Sequence, residues 1–288
     1  MKIIIDLQGC QLDGHRVRGI GRYSLSLIKK LIRISINHEF ILFANACLTN
    51  ISIDFEEELL EFKDRVSYVN WYGPNLGILE GSNNQVRYEL SKKLRSYALS
   101  LINGDILLLT SFFDGYNDQC VISLDHKFNL PRVACVIHDL IPLSHPNDYL
   151  DIDLDYKKFY LNMIEELSSI DCLLTNSQFT KNELKRLTSL DPNIIFNISS
   201  GCDKEIFNAN LNQEDKLFQE KNFGPYILYC GAADDRKNLK RLIQSYSLLK
   251  DNLKTTYKLI LVGEMEASAG DIYYWRDQFE ISEDQLLL

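Results

Sequence analysis

Val133-Ala134-Cys135-Val136-Ile137-His138-Asp139 is a run of five small or apolar residues that stops at a histidine and an aspartate. A strand with one wet face alternates apolar and polar residues. A run that is apolar at every position fits a parallel strand covered on both faces. A titratable ring then stands at the strand's carboxyl end, where open parallel sheets hold their ligands. On position alone, two readings of His138 stay open. It contacts a ligand oxygen or steadies developing charge, or it is a structural ring bonded to a nearby carbonyl.

Runs of the same kind recur on both sides of this one. They predict strands over Lys2–Leu7, Phe40–Ala44, Val66–Asn70, Ile106–Leu109, Cys172–Thr175, Ile194–Asn197, Tyr226–Tyr229 and Tyr257–Val262. Amphipathic stretches between them predict helices over Gly21–Ile34, Gln85–Ile102, Asp155–Ser169, Gln178–Leu187, Asn238–Leu249 and Asp271–Phe279. Strand–helix alternation implies right-handed βαβ units, hence an α/β protein with a doubly wound, Rossmann-like sheet. The polar tract Asn208–Lys216 and the punctuation Gly224-Pro225 mark a boundary. The expected organisation is one complete domain over 1–207, a linker over 208–223 and a second Rossmann-like unit over 224–288. That second unit has few elements for closing an open α/β core. It is expected to be incomplete, exposing apolar surface at Ile227, Ile260 and Leu286–Leu288.

The 288 residues are 45% hydrophobic and 25% charged, the balance of a soluble globular chain. A net charge of −9 argues against a nucleic-acid partner held by bulk electrostatics. Met1-Lys2 leads straight into Ile3-Ile4-Ile5-Asp6, with no apolar core or cleavage site of a leader. No apolar run approaches the roughly 18–20 residues of a membrane span. A cytoplasmic protein is the expectation. The seven cysteines are scattered without a C-x-x-C pair, which reads as free buried thiols rather than disulfides or a metal site.

Three further segments carry chemistry. Asp6-Leu7-Gln8-Gly9 leads through Arg18 to Gly19-Ile20-Gly21-Arg22-Tyr23 at a helix start. Glycines there let backbone amides approach an anion, and the helix start carries partial positive charge. The alternative is a tight turn flanked by solvated arginines. The dinucleotide pattern G-x-G-x-x-G is not met, which argues against an oxidoreductase. Ser199-Ser200-Gly201-Cys202-Asp203 follows the first domain's last strand and reads as a substrate-site loop or an ordinary turn. Tyr229-Cys230-Gly231-Ala232-Ala233-Asp234-Asp235-Arg236-Lys237-Asn238-Leu239 places a basic pair at a helix start. That pair opposes the helix dipole unless an anion sits there, so it predicts a phosphate site.

In this order the segments resemble the family-4 retaining glycosyltransferases of GT-B architecture. They are closest in pattern to the bacterial mannosyl- and rhamnosyltransferases of O-antigen and surface-polysaccharide synthesis. The resemblance rests on Ile5–Gly9 with Arg18–Tyr23, His138-Asp139-Leu140-Ile141-Pro142-Leu143, Ser200-Gly201-x-Asp203-x-x-x-Phe207, and Gly231-x4-Arg236-Lys237-Asn238-Leu239. It implies transfer of a hexose or deoxyhexose from a nucleoside diphosphate sugar, GDP- or dTDP-linked, with no cofactor and no metal. The acceptor would be a growing glycan, lipid-linked, met at the inner face of the membrane by peripheral contact. The resemblance places Gly19, Gly21 and Lys237 at the donor diphosphate and His138 at the transferred sugar. Arg18, Arg22, Asp139, Gly201 and Asp203 fall in the surrounding loops. Where the family pattern has arginine directly after the second unit's glycine, this chain has Ala232, and Arg236 stands in. The family's E-x7-E carboxylate pair has no counterpart before residue 288. The resemblance therefore implies a partial donor site and an inactive isolated chain. The rival expectation is a catalytically inactive remnant that binds acceptor glycan alone.

Overall fold

The computed structural model describes residues 1–11, 19–48, 57, 59–73, 82–116, 118–202, 224–233, 235–263, 265 and 269–288. The chain divides into two compact units, Met1–Gly201 and Cys202–Leu288.

In the first unit seven strands form one sheet: β1 Lys2–Asp6, β2 Glu39–Asn45, β3 Val66–Trp71, β4 Ile106–Leu109, β5 Arg132–Ile137, β6 Cys172–Thr175 and β7 Ile195–Asn197. Their order is β3-β2-β1-β4-β5-β6-β7. Every pairing is parallel, with Ile4 of β1 opposite Ile41 of β2 and Leu107 of β4. The chain winds outward from β1 in one direction and from β4 in the other, so the switch point lies between those two strands.

The uninterrupted apolar strands follow from double coverage. Ile3 and Ile5 of β1 pack with Ile28 and Ile32 of helix α2, Gly19–Ile34, on one face. Ile4 packs with Leu99 of helix α3, Ser82–Ser100, on the other. Helix α6, Leu154–Glu166, starts at Asp153, whose carboxylate accepts from the Asp155 and Tyr156 amides. Helix α7, Gln178–Leu187, starts at Ser177, whose hydroxyl accepts from the Thr180 amide. Three one-turn helices, α1 Gln8–Gln11, α4 Ile141–Ser144 and α5 Pro146–Tyr149, follow β1 and β5. They are too short to leave a periodic signal in sequence.

The second unit holds β8 Tyr226–Cys230, β9 Lys258–Val262 and β10 Leu286–Leu287, with helices α8 Leu239–Ser247, α9 Asp251–Thr256 and α10 Ala269–Gln278. Strand order is β10-β9-β8, all parallel. Ile243, Tyr246, Leu259, Leu261, Ile272 and Leu286 form its core. Ile227, Leu228 and Leu288 are exposed, but Ile260 and Leu286 are buried, contrary to the expectation for them. The reason is position. Ile260 lies on the central strand, and Leu286 is tucked beside Leu259.

Gly263 closes β9 at φ +139°, a conformation nearly closed to side-chain-bearing residues, and a Cβ there would stand 2.0 Å from the Gly231 carbonyl oxygen. The Gly231 amide donates to Val262 O over 2.9 Å, so the two backbones are locked together. Gly263→Ala should cost the second unit about 2–3 kcal/mol. Amide hydrogen exchange of β8 and β9 measures it, and unchanged protection would refute the clash.

Candidate functional site

The carboxyl ends of β1, β4 and β5 converge on Thr110, the residue after β4. Its carbonyl accepts from Ser24 Oγ of α2 (3.3 Å) and stands 3.0 Å from His138 Nε2. A carbonyl only accepts, so this contact puts a proton on Nε2 and leaves Nδ1 as the acceptor of the neutral ring. The Tyr23 ring, in the second turn of α2, meets the His138 ring edge-on, with centroids 5.2 Å apart. The Tyr23 hydroxyl donates to Ser199 O (3.3 Å), and the Thr180 hydroxyl donates to His138 O (3.2 Å). Burial pushes the Tyr23 phenol above its ordinary pKa, which keeps it a neutral donor. The ring bonds a backbone carbonyl, as the structural reading of His138 expects, and it is also half-exposed at the sheet's carboxyl edge.

The helix that carries Tyr23 opens at Gly19 and Gly21. Gly19 is exposed, with nothing among the described residues near its Cβ position, and Gly21 is buried. Arg22 is exposed. Asp139 is exposed, and its carboxylate accepts from the Ile141 amide (3.1 Å), which ties it to the start of α4. Gly201 is exposed, with no atom of the described residues near its Cβ position. Arg18 and Asp203 lie outside the described residues. The structure therefore brings the glycine-opened helix and His138 together, with the Ser199 turn joined to them through Tyr23.

Beneath the site lies a buried polar network that the sequence did not announce. Arg95 of α3 donates to Asp6 Oδ2 through Nη2 (2.8 Å) and to Ile122 O through Nη1 (2.8 Å). The Gln8 amide donates to Asp6 Oδ1 (3.0 Å), and Gln8 Oε1 accepts from the Val121 amide and Asn45 Nδ2. Gln11 exchanges two bonds with the Asn45 backbone, each 2.9 Å. Asp6, Gln8, Gln11, Asn45 and Arg95 are all buried. They fix the irregular segment after Thr110 against the end of β1. Gly9 joins in by proximity, since a Cβ there would lie 2.9 Å from Ser111 Cβ.

An aromatic group flanks the same edge. Phe113 stacks on Tyr160 (4.7 Å), and Tyr116 packs against Tyr156 (5.0 Å) and Phe159 (5.5 Å). Burial raises the Tyr156 and Tyr160 phenols, with the Asp139 charge adding to both.

Cys10, Cys120 and Cys135 are buried, and burial pushes the Cys10 thiol up to about 12, so it stays protonated. Cys202 and Cys230 are exposed, which corrects the expectation that the thiols are buried throughout.

In the second unit, Arg236 and Lys237 occupy a single 3-10 turn, Asp235–Lys237, just before α8. Both are exposed. Asn238 follows at φ 52°, and its side chain makes no capping bond. The first turn of α8 holds no acidic residue. Two cations stand where the helix dipole is also positive, an arrangement that suits an anion.

No protein-family model matches the chain. The chain is 27% identical over 297 residues to the serotype-specific mannosyltransferase WbdA of Escherichia coli, covering 100% of this chain and 34% of that protein. It is 26% identical over 270 residues to the O-antigen chain mannosyltransferase B of Escherichia coli, covering 91% of this chain and 64% of that one. The chain thus spans about a third of the first relative's length. Among solved structures it is similar to a glycosyltransferase from Rickettsia africae (TM-score 0.57, 15% identity, 100% of this chain and 67% of that one). It is also similar to Anabaena Alr3699/HepE in complex with UDP and glucose (TM-score 0.60, 13% identity, 100% and 69%). The class this defines is the α/β fold of the GT-B glycosyltransferases. In sequence, the chain is similar to these two Escherichia coli mannosyltransferases.

Proposed function

We propose that this chain takes part in moving a hexose or deoxyhexose, mannose or rhamnose, from a GDP- or dTDP-linked donor to a hydroxyl of a growing, lipid-linked glycan, with retention of configuration. The observation that carries this reading is His138, anchored at the carboxyl end of β5 beside the helix that Gly19 and Gly21 open. The mannosyltransferase relatives and the solved neighbour holding UDP and glucose support it. In transfer, the leaving diphosphate gathers negative charge while the sugar carbon becomes cationic. The backbone amides at Gly19 and Gly21 in the first unit, and separately Arg236 and Lys237 in the second, are each suited to the first charge. His138 faces the sugar, and Arg18, Arg22, Asp139, Gly201 and Asp203 frame the loops around it. Tyr116, Tyr156 and Phe159 offer the stacking surface that an acceptor's sugar rings take. No step calls for a metal. The proposed organisation is an acceptor-side domain over 1–207, a linker over 208–223 and a donor-side unit over 224–288. The place of action is the inner face of the cytoplasmic membrane.

Calorimetry of this chain with GDP-mannose and dTDP-rhamnose tests the donor site, beside a radiolabelled transfer assay onto a lipid-linked glycan. Binding should weaken as salt rises, because the diphosphate contacts are exposed. Lys237→Ala should weaken it roughly tenfold, the loss of one charge-assisted contact. Donor binding indifferent to both salt and Lys237 would remove the basic turn from the site. Glycan binding with no donor binding would make the chain an acceptor-binding module.

A further inference from the structure

Helix α3 is built inside out. Ser91, Arg95 and Ser96 are buried on its inner face, beside Leu99. Val86, Leu90, Leu94 and Tyr97 along the helix, and Leu101 just beyond its end, are 40–70% exposed. At about 100° per residue those five fall within roughly 80° of arc, a single stripe along the outer face. Ordinary surface helices do the reverse, turning apolar residues inward and polar ones to water. Two of the buried polar residues have partners, since Arg95 holds Asp6 and Ser96 Oγ accepts from the Asp125 amide (2.8 Å). Among the described residues, the outer stripe is left exposed.

Its flanks are basic. Arg87 lies on one side of the stripe and Lys93 on the other, both exposed. The Tyr97 ring packs against Phe128 at 5.9 Å, and the exposed Lys127 adjoins Phe128 in the chain. Glu89 is the only acidic residue between Val86 and Leu101. In a chain of net charge −9, this is a locally cationic face around an apolar line.

We propose that the outer face of α3 docks this chain onto an anionic phospholipid surface. The helix lies in the interface plane, its leucines entering the acyl boundary and Arg87, Lys93 and Lys127 meeting headgroup phosphates. Tyr97 has the amphipathic ring that favours that depth. A second copy is the weaker occupant. The stripe is about 24 Å long and a helix about 10 Å wide, a footprint far below the roughly 800 Å² per partner of a stable interface. Like-charged flanks would also face each other. The inference does not depend on sugar transfer and can fail without touching it.

The test is co-sedimentation of the whole chain with vesicles. Binding is expected to mixed phosphatidylglycerol–phosphatidylcholine vesicles and not to phosphatidylcholine alone. Leu90→Ser, Leu94→Ser and Leu101→Ser combined remove exposed side chains only, so folding should survive, as circular dichroism would verify. That variant should bind at least roughly tenfold more weakly. Arg87→Gln with Lys93→Gln should lose roughly fivefold per cation. Three outcomes overturn the proposal: no binding of the unaltered chain to anionic vesicles, equal binding by the serine variant, or self-association of the unaltered chain that the serine variant abolishes.

Discussion

Replacing Arg95 by leucine should cost the first unit about 3–5 kcal/mol, because it leaves the Asp6 carboxylate buried without its counter-charge. The side chains of Arg95 and Asp6 are 0% and 2% exposed, so water cannot take over the lost contacts. Arg95 Nε also lies 3.3 Å from Asp6 Oδ2, and Nη1 3.3 Å from Ser123 O, so the guanidinium fork bonds one carboxylate and two carbonyls at once. Arg95→Lys keeps the charge but lacks the planar fork, and should lose at least half as much. Asp6→Asn strands the cation instead. In the double variant Asp6→Asn/Arg95→Met neither charge remains, so its cost should fall short of the summed single costs by about 1–3 kcal/mol. Urea unfolding reads these values through Trp71, which lies in the first unit's core, in a Trp275→Phe background. An Arg95→Leu cost under about 1 kcal/mol at an unchanged denaturant slope would show that the ion pair does not hold the unit together.

That network also marks where the sequence stopped being legible. The strands were readable because every residue of Ile3–Ile5 or Val133–Ile137 meets a core, on one face or the other. Helix α7 was readable end to end, because Ser177 gives it a capped start and its buried side holds the periodic pattern. Helix α3 could be placed but not oriented. Its leucines suggest an inner face, yet the inner face is Ser91, Arg95 and Ser96. The signal was present in an arginine and two serines on the face shared with Leu99, but choosing that face requires knowing that Asp6 waits there. His138 stands out in the sequence because a strand end is a position the fold itself makes special. Asp6 and Gln8 stand at the end of β1 in the same way. Their partners, Arg95, Val121 and Asn45, are distant in sequence, and no spacing rule connects them. The bond from Asp139 to the Ile141 amide is local, and it depends on a four-residue helix too brief to leave a pattern.

In a longer version that also carries the E-x7-E pair, His138→Ala should lower transfer roughly 100-fold with a much smaller loss of donor affinity, if the ring serves the developing charge rather than ground-state binding. The geometry separates the two nitrogens. Nε2 is committed to the Thr110 carbonyl at 3.0 Å. In the neutral ring that commitment makes Nδ1 the acceptor, and in the charged ring both nitrogens donate. The edge-on Tyr23 ring fixes the plane in which Nδ1 points. Two amide replacements tell the nitrogens apart. Asparagine places its terminal amide near the Nδ1 position, and glutamine places its own near Nε2. If Nδ1 is the working atom, His138→Asn retains more turnover than His138→Gln, although glutamine alone can restore the bond to Thr110 O. Tyr23→Phe keeps the ring contact and should leave the rate within a fewfold. Tyr23→Leu frees the imidazole to rotate and should lower turnover while donor binding holds. Initial rates at saturating donor, beside calorimetry of the same proteins, distinguish these outcomes. Equal or better turnover by His138→Gln would mean that the ring works through Nε2, and that the Thr110 contact is broken whenever substrate is bound.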